Sequence, residues 1–374
     1  MNRLARYDQS PLGRWWWTVD RWTLALLTVL IGLGLMLVQA STPAIAAARD
    51  LPNYHFIKNQ LMVLLPGLLL LLGVSMTSPR SIRIIALFGF LASLLMLIAV
   101  IFWGQEVKGA TRWLVVPLLG TFQPSEVMKP FFIVTAAWLF ARHTRHMGFP
   151  ALETNIIFAV ITALLLLAQP DVGMTMLVMV VWFGQFTLAG LPLILLSLAA
   201  VLGAAGVLVA YHIFPHVASR IDRFIDPASG DTYQVDRALE AFSAGGLWGK
   251  GPGEGTVKMH LPDAHADFVF AVAGEELGLF WCLVIVAIYV AIIARGLWRL
   301  RGEKSLFITL AVGGLLAQFG VQALINMASA LHLGPTKGMT LPFISYGGSS
   351  LLSMCILFGM LLGLTRKRYD KTEF

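Results

Sequence analysis

The stretch Ile82–Phe102 has the sequence IRIIALFGFLASLLMLIAVIF, and its only charged side chain is Arg83. A helix of about 20 apolar residues is roughly 30 Å long, which matches the hydrocarbon core of a membrane. The stretch therefore predicts a membrane-spanning helix rather than a helix in a soluble core.

The remainder of the chain has the same character. Of 374 residues, 57% are hydrophobic and 13% are charged, whereas soluble domains carry about 25% charged residues. Because lipid-exposed irregular backbone leaves polar groups unpaired, the apolar runs are expected to be helices. The sequence predicts an all-α membrane protein, a bundle of ten transmembrane helices that forms a single domain over residues 1–374. The predicted spans are 22–41, 57–76, 82–102, 125–141, 154–169, 173–189, 191–212, 267–294, 305–328 and 348–365.

The distribution of basic residues orients the bundle. An even number of spans places both termini on one side, and clusters such as Arg80–Arg83 and Arg366–Arg368 lie on that same side. Cytoplasmic connections are enriched in Lys and Arg, so we expect both termini to be cytoplasmic. This topology accounts for the net charge of +7 without a nucleic-acid partner. No small-residue cleavage site follows the first run, so it is expected to remain as an anchor.

The outer face is expected to carry the function. Its connections are 103–124, 329–347 and the largest, about 213–266 between spans seven and eight. Binding and catalytic residues are concentrated in loops that a rigid scaffold positions. Cys282 and Cys355 both lie inside apolar runs and imply no disulfide.

Asp267 lies where the segment Leu261–Phe268 enters the eighth span. If that helix begins near Asp263, then Asp263 and Asp267 are four residues apart and share a face. Asp263 would then lie near the N-terminus of the helix, where the helix dipole stabilises a carboxylate. A carboxylate at the edge of the hydrocarbon is costly and usually functional, and desolvation raises its pKa toward the range of a general base. Glu275 and Glu276 follow inside the span, where a structural ion pair and a catalytic role are both open.

Charged residues also occur at the fourth span. Arg112 precedes it in the loop, and Pro124 suits the first position of its helix. Glu126 and Lys129 are three residues apart and share a face, as in a helix-stabilising pair. Because buried ions are poor stability devices, the pair is also a candidate site component.

Two further outer segments are rich in Pro and Gly. Asp171 lies in the break Gln169–Gly173, and Lys337 lies in Pro335–Ser350 as a candidate anion ligand. Broken backbone at membrane depth is tolerated only against protein or a cavity. His260 and His265 do not have the spacing typical of metal ligands.

Cations, a desolvated carboxylate and broken helices on one face fit a synthetic reaction at a lipid-linked substrate. No ATP is available outside, so the substrate must be pre-activated, as a lipid-linked pyrophosphate sugar is. Cations would stabilise the pyrophosphate leaving group, and the carboxylate would deprotonate an attacking hydroxyl. The same residues also permit a transporter with a midplane acid and interrupted helices.

The motifs resemble those of the SEDS family, named for shape, elongation, division and sporulation, over about residues 20–365. The matching segments are Gly109–Trp113, Gln123–Glu126, Gln169–Asp171, Gly245–Leu247, Leu261–Phe268, Gly274–Gly278 and Ile344–Ser350.

The resemblance implies a ten-span peptidoglycan glycosyltransferase. Such enzymes join lipid II units to a nascent glycan strand through β-1,4 bonds and release undecaprenyl pyrophosphate. Asp267 falls on the family's essential Asp and would activate the acceptor 4-hydroxyl. Arg112 and Lys129 fall on the family's basic positions, and Glu126 falls on its adjacent acid. The substrate-binding candidates are therefore Arg112, Glu126, Lys129, Lys337 and Ser349. The supporting candidates are Asp171, Asp263, His265, Glu275 and Glu276.

The resemblance also bears on partners and cofactors. A divalent cation, Mg or Mn, often accompanies this activity, but no ligand set is evident in the sequence.

Pro335–Pro342 resembles the division branch of the family rather than the RodA-like elongation branch. That branch implies the inner membrane at the division septum, an FtsI-like class B penicillin-binding protein and other division proteins as partners. A lipid II flippase and a scaffold for a partner synthase are the alternatives.

Overall fold

The structure is a computed structural model that describes residues 10–48, 50–52, 54–107, 110–116, 120–144, 149–190, 193–213, 215–226, 232–335 and 337–367. Gly109, the turn at 191–192 and both chain ends lie outside these described residues.

Helices dominate the described chain, which confirms the predicted fold class. Fourteen α-helices lie in the described residues, and ten of them overlap the ten predicted spans. The helices are Pro11–Thr18 (α1), Arg21–Ser41 (α2), Pro43–Ala48 (α3), His55–Ser75 (α4), Pro79–Trp103 (α5), Pro124–His143 (α6), Ala151–Ala168 (α7), Val172–Leu188 (α8), Leu193–Ile213 (α9), Pro215–Ile225 (α10), Tyr233–Gly245 (α11), Val269–Arg299 (α12), Leu306–Ala330 (α13) and Gly348–Thr365 (α14).

Seven helices in the described ranges are long and apolar enough to cross a membrane by themselves: α2, α4, α5, α7, α12, α13 and α14. The helix α8 is apolar but has only 17 residues. The helix α6 has 20 residues and carries Glu126 and Lys129 near its outer end. The count of ten spans therefore stays a prediction.

The centre of the bundle is formed by α6, α13 and α14. In α14, 89% of the most apolar stretch is buried, against 22% in α4. Apolar side chains such as Phe88 and Leu69 on the outer helices are exposed. A helix that is apolar on every face is typical of a membrane span, so these exposed faces are where lipid would lie.

A small antiparallel sheet, which the sequence analysis did not predict, occupies the connection between α5 and α6. Its strands are Gln105–Val107 (β1), Ala110–Val116 (β2) and Gly120–Phe122 (β3), in the order β1-β2-β3. The register pairs Gln105 with Trp113 and Leu114 with Phe122. The strand β2 is rich in β-branched and aromatic residues, which favour strands. The sheet holds Arg112 above the outer end of α8.

The helix α12 is interrupted at Gly278, where φ is 79° and ψ is 177°. The segment 245–251 packs into this break. Gly251 N donates to Glu276 O over 3.0 Å, and Leu279 N donates to Gly246 O over 2.9 Å. The loop therefore satisfies backbone groups that an unbroken helix would pair internally.

Candidate active site

A cleft of about 570 Å³ opens at the outer end of the bundle. Its walls come from α4, from the β2–β3 region, from the start of α6 and from the loop between α13 and α14. Five predicted site residues that are distant in sequence line it together: Arg112, Glu126, Asp171, Asp267 and Lys337. Ser349 also lines the cleft and accepts a hydrogen bond from Gln123 N over 2.9 Å.

Asp267 lies in a turn just before α12. Its backbone N–H donates to Asp263 O over 3.0 Å, and the helix begins only at Val269. Asp263 has a φ of 52°, in the left-handed region that Asp tolerates better than most residues. The condition for a shared helix face, a helix that begins near Asp263, is therefore not met, because the chain turns there before it enters the helix.

The backbone at Asp267 is fixed from α13. Asn326 Nδ2 donates to Asp267 O over 2.9 Å and to Met339 O over 2.6 Å. A Cβ added to Gly338 would lie 2.7 Å from Asp267 Oδ2, so the backbone of Gly338 lies directly against this carboxylate. Asn326 thus ties the carboxylate segment to the loop that carries Lys337.

Two cations flank the buried carboxylate of Asp171. Arg112 Nε lies 3.7 Å from Asp171 Oδ2, and Lys337 Nζ lies 3.8 Å from Oδ1. Arg112 also donates to Gln169 O over 3.3 Å and to Pro170 O over 2.5 Å. Asp171 Oδ1 in turn accepts from Met174 N over 3.2 Å and caps α8. Asp171 therefore positions Arg112 and Lys337 side by side at the cleft wall.

Burial lowers the pKa of Lys337 to about 8. The carboxylate of Asp171 opposes this effect, whereas the charges of Lys129 and Arg112 add to it. A lysine with such a pKa is still largely protonated at neutral pH, so two positive charges face the cleft.

Lys129 is 1% exposed and is not among the residues that line the cleft. Its Nζ lies 2.9 Å from Glu126 Oε2 and donates to Gln322 Oε1 over 2.8 Å. Gln322 Nε2 donates to Thr340 O over 3.1 Å. Lys129 therefore does not line the cleft itself. It contacts Glu126, which does, and Gln322, which binds the cleft residue Thr340.

The remaining candidates lie away from the cleft wall. His265 packs against the rings of Phe56 and Tyr346, with centroids 5.2 and 5.3 Å apart. Glu275 accepts backbone hydrogen bonds of 2.7–2.8 Å from residues 256–258, and Glu276 pairs with Lys258 Nζ. Of the two roles left open for these acids, the geometry favours the structural one.

Gln322 and Asn326 are not among the residues that the sequence pointed to as site candidates. Together with Gln318 they recur every four residues in an otherwise apolar span. Such spacing places all three on one face of α13, and polar residues inside a span normally face protein or a cavity. That periodicity is the signal that could have identified them.

The described residues contain no group of three or more His, Cys, Asp or Glu side chains that could hold a metal ion. Asp171 already binds two cationic side chains, and Glu126 binds Lys129. Of the three acids that line the cleft in the described part of the chain, Asp171 and Glu126 are thus committed to cationic side chains, which leaves Asp267. One remaining carboxylate does not make a closed Mg or Mn site, and no step is derived through a metal.

Comparison with known proteins agrees with the motifs. The chain is 43% identical over 369 residues to "Probable peptidoglycan glycosyltransferase FtsW" of Caulobacter vibrioides (strain NA1000 / CB15N), covering 98% of this chain and 94% of the relative. It is 36% identical over 364 residues to the protein of the same name from Hydrogenovibrio crunogenus (strain DSM 25203 / XCL-2), covering 92% and 91%.

Solved structures share the fold. A chain from "Structural coordination of polymerization and crosslinking by a peptidoglycan synthase complex" superposes with a TM-score of 0.74 at 26% identity, covering 93% of this chain and 97% of that one. The rod shape determining protein RodA of Thermus thermophilus superposes with a TM-score of 0.67 at 27% identity, covering 95% and 99%. The family described as "Cell cycle protein", which groups FtsW, RodA and SpoVE, matches residues 20–370. With this match and with FtsW relatives along nearly its whole length, the chain belongs to the SEDS family of FtsW, RodA and SpoVE cell cycle proteins.

Proposed function

We propose that this multi-pass membrane protein is the septal peptidoglycan glycosyltransferase, which polymerises lipid II into β-1,4 glycan strands and releases undecaprenyl pyrophosphate. Relatives that match along nearly the whole chain are named for this activity. The match to residues 20–370 supports a single domain. The observation that carries the proposal is the meeting of Asp267, Arg112 and Lys337 at one cleft.

Asp267 acts as the general base. It accepts the proton of the acceptor 4-hydroxyl as that oxygen forms a bond to the anomeric carbon of the donor sugar. The bond from that carbon to the pyrophosphate oxygen breaks on the opposite side, which inverts the configuration. Asn326 holds the carboxylate segment in place through its hydrogen bond to Asp267 O. A base contributes only when it is within hydrogen-bond reach of the proton.

Arg112 and Lys337 bind the pyrophosphate of the donor. Charge accumulates on this group as the glycosidic bond breaks, and fixed cations stabilise it more in the transition state than in the ground state. Asp171 holds both cations at the cleft wall before the donor binds. Glu126 and Ser349, which also line the cleft, are placed to accept or donate hydrogen bonds to sugar hydroxyls.

Packing beneath the cleft favours polymerisation over transport. Phe132, Phe319 and Phe358 lie midway along the three central helices and are at most 1% exposed. The rings of Phe319 and Phe358 are 4.9 Å apart. A flippase needs a polar path for a pyrophosphate sugar, whereas close-packed rings fill this part of the bundle.

The proposal is tested with Asp267→Asn in the purified protein together with its partner synthase, incubated with lipid II in detergent. Loss of the base is expected to slow glycan formation by about 10²–10⁴-fold. The matched control is Asp263→Asn, which removes a neighbouring carboxylate outside the cleft and keeps a residue that tolerates positive φ. Normal polymerisation by Asp267→Asn would contradict the assignment. Lipid II transfer across vesicle bilayers without polymer would favour the flippase.

The septal location and the partner are part of the same proposal. A relative of known structure comes from a complex that coordinates polymerisation and crosslinking, which supports a class B penicillin-binding protein of the FtsI type as the partner here. The FtsW names of the relatives support the division branch over the RodA-like elongation branch. Rescue of cells that lack the division protein, but not of cells that lack the elongation protein, is the expected result.

A further inference from the structure

A second cavity, of about 680 Å³, lies at the opposite end of the bundle, which the charge pattern places in the cytoplasm. It is enclosed by the start of α5, the end of α6 and the start of α13, and it shares no lining residue with the cleft. Its charged lining residues are Arg80, Arg83 and Arg142, and none of the lining residues is acidic. Three cations around a concave site without a counter-charge concentrate anions there.

Two of these guanidinium groups are held by aromatic rings. Arg142 lies over the rings of Trp138 and Phe149, at 5.8 and 5.1 Å from their centroids. Arg83 lies over the ring of Phe307 at 5.5 Å. A cation–π contact of this kind positions the guanidinium without using its hydrogen-bond donors, which can then bind a bidentate ligand.

The hydrogen bonding of Arg142 also points to a ligand. Its Nε is buried and has no hydrogen-bond partner among the residues that the structure describes. A buried donor left unpaired is costly, and such groups normally bind protein, water or a ligand. The positive-inside rule explains why arginines lie at this end of the bundle, but it requires neither a cavity nor guanidinium groups held over aromatic rings.

The cavity is bounded by lipid-facing side chains as well as by cations. Ile84 lines it and is 49% exposed, and Phe88, one turn further along α5, is 66% exposed. These residues lie on the membrane side of Arg80 and Arg83. An anion with an attached acyl chain would place its phosphate on the arginines and its chain along this apolar face of α5.

We propose that this cavity binds the phosphate of an anionic phospholipid from the cytoplasmic leaflet. Basic pockets between transmembrane helices on this side are a recognised form of lipid headgroup site. Arginine suits the role because its fork matches two phosphate oxygens at once. The site would tie α5, α6 and α13 together at the end away from the cleft.

The test compares the full-length protein with the variant Arg80→Gln/Arg83→Gln/Arg142→Gln in nanodiscs of phosphatidylcholine with and without phosphatidylglycerol. Retained phosphatidylglycerol is counted by native mass spectrometry. We expect the variant to lose its preference for phosphatidylglycerol by about tenfold or more, as loss of several charge-assisted contacts predicts. The matched control is Arg14→Gln/Arg21→Gln/Arg301→Gln, which removes the same charge from exposed arginines at the same end of the bundle but outside the cavity.

Each other outcome overturns the proposal. An equal loss of the preference for phosphatidylglycerol in the control variant would show that surface charge, and not the cavity, retains this lipid. Equal retention of phosphatidylcholine and phosphatidylglycerol by the unmodified protein would exclude recognition of the anion. Full competition by soluble glycerol phosphate would assign a free-phosphate site instead. The variant Arg142→Lys keeps the charge but not the guanidinium, so retention of phosphatidylglycerol should fall in it. Unchanged retention would contradict recognition of the phosphate by the guanidinium fork.

Discussion

At the scale of the residue, Lys337 has the environment that most clearly links structure to chemistry. Its side chain is 16% exposed, lies 3.8 Å from Asp171 and shares the cleft wall with Arg112. An added Cβ on Gly173 would lie 1.8 Å from Lys337 Cε, so the side chain runs closely over the first turn of α8. The same burial that positions the amine lowers its pKa to about 8.

This pKa predicts a fall in activity at alkaline pH. Because the pKa is lowered, the ammonium is present below about pH 8 and is lost as the pH rises through that value. The polymerisation rate should decline over this range if the charge binds pyrophosphate. In Lys337→Arg, whose guanidinium stays charged, the decline should move to higher pH. Rates measured between about pH 6.5 and 9.5 check this, and an identical decline in Lys337→Arg would contradict it.

At the scale of the element, the break in α12 exposes backbone groups of a membrane helix, and these groups bind the outer loop. The segment 245–251 pairs with the carbonyl groups that the break exposes, and Glu275 accepts from three backbone N–H groups of the loop. An acid inside an apolar span is costly unless it is paired. The Gly245–Leu247 and Gly274–Gly278 motifs are therefore two halves of one structural unit.

This unit predicts the effect of Gly278→Ala. The φ of 79° and ψ of 177° are open essentially to glycine alone, and a Cβ would lie 2.3 Å from Gly249 N. The substitution should lower the free energy of unfolding by about 2 kcal/mol or more. Thermal unfolding in detergent measures this effect. The control is Gly73→Ala in α4, where nothing lies within 4 Å of the added Cβ; an equal loss there would refute the explanation.

At the scale of the whole molecule, one ion-pair cluster joins the two halves of the chain. Asp20, at the start of α2, is 2% exposed and accepts from Arg295 Nε over 2.8 Å and from Arg295 Nη2 over 3.1 Å. Arg299 Nε lies 3.4 Å from the same carboxylate. Desolvation raises the pKa of Asp20, but the hydrogen bonds and charges of the two arginines outweigh it and lower the pKa overall.

Asp20→Asn should therefore destabilise the protein at neutral pH by about 1.5–3 kcal/mol, toward the lower end because Arg295 is partly exposed. Since the folded pKa lies below the unfolded value of about 3.9, the stabilisation is present above that value and is lost as the pH falls through the folded pKa. The difference in thermal stability between the variant and the unmodified protein should shrink in acid. The exposed Asp50 provides a control, Asp50→Asn, for which no such difference is expected.

The sequence by itself determined the helices, and it predicted a site on the outer face with Asp267 as its base. Apolar length fixes a membrane helix without reference to partners, so the spans matched their helices in the described chain to within a few residues. Its place at the edge of the hydrocarbon singled out Asp267, because a carboxylate there is costly and usually functional. The resemblance of the surrounding motif then predicted its role as the base.

Only the tertiary structure decided how these parts meet. The chain turns between Asp263 and Asp267 before α12 begins, and of these two acids only Asp267 lines the cleft, although helical spacing predicted a shared face. The position of Lys129 behind Glu126, and the commitment of Asp171 to Arg112, depend on contacts between segments far apart in sequence. Local periodicity reports which face of one helix is apolar, but it does not report which neighbour packs on that face. Long-range packing therefore determines which charges reach the cleft and which are buried as supports.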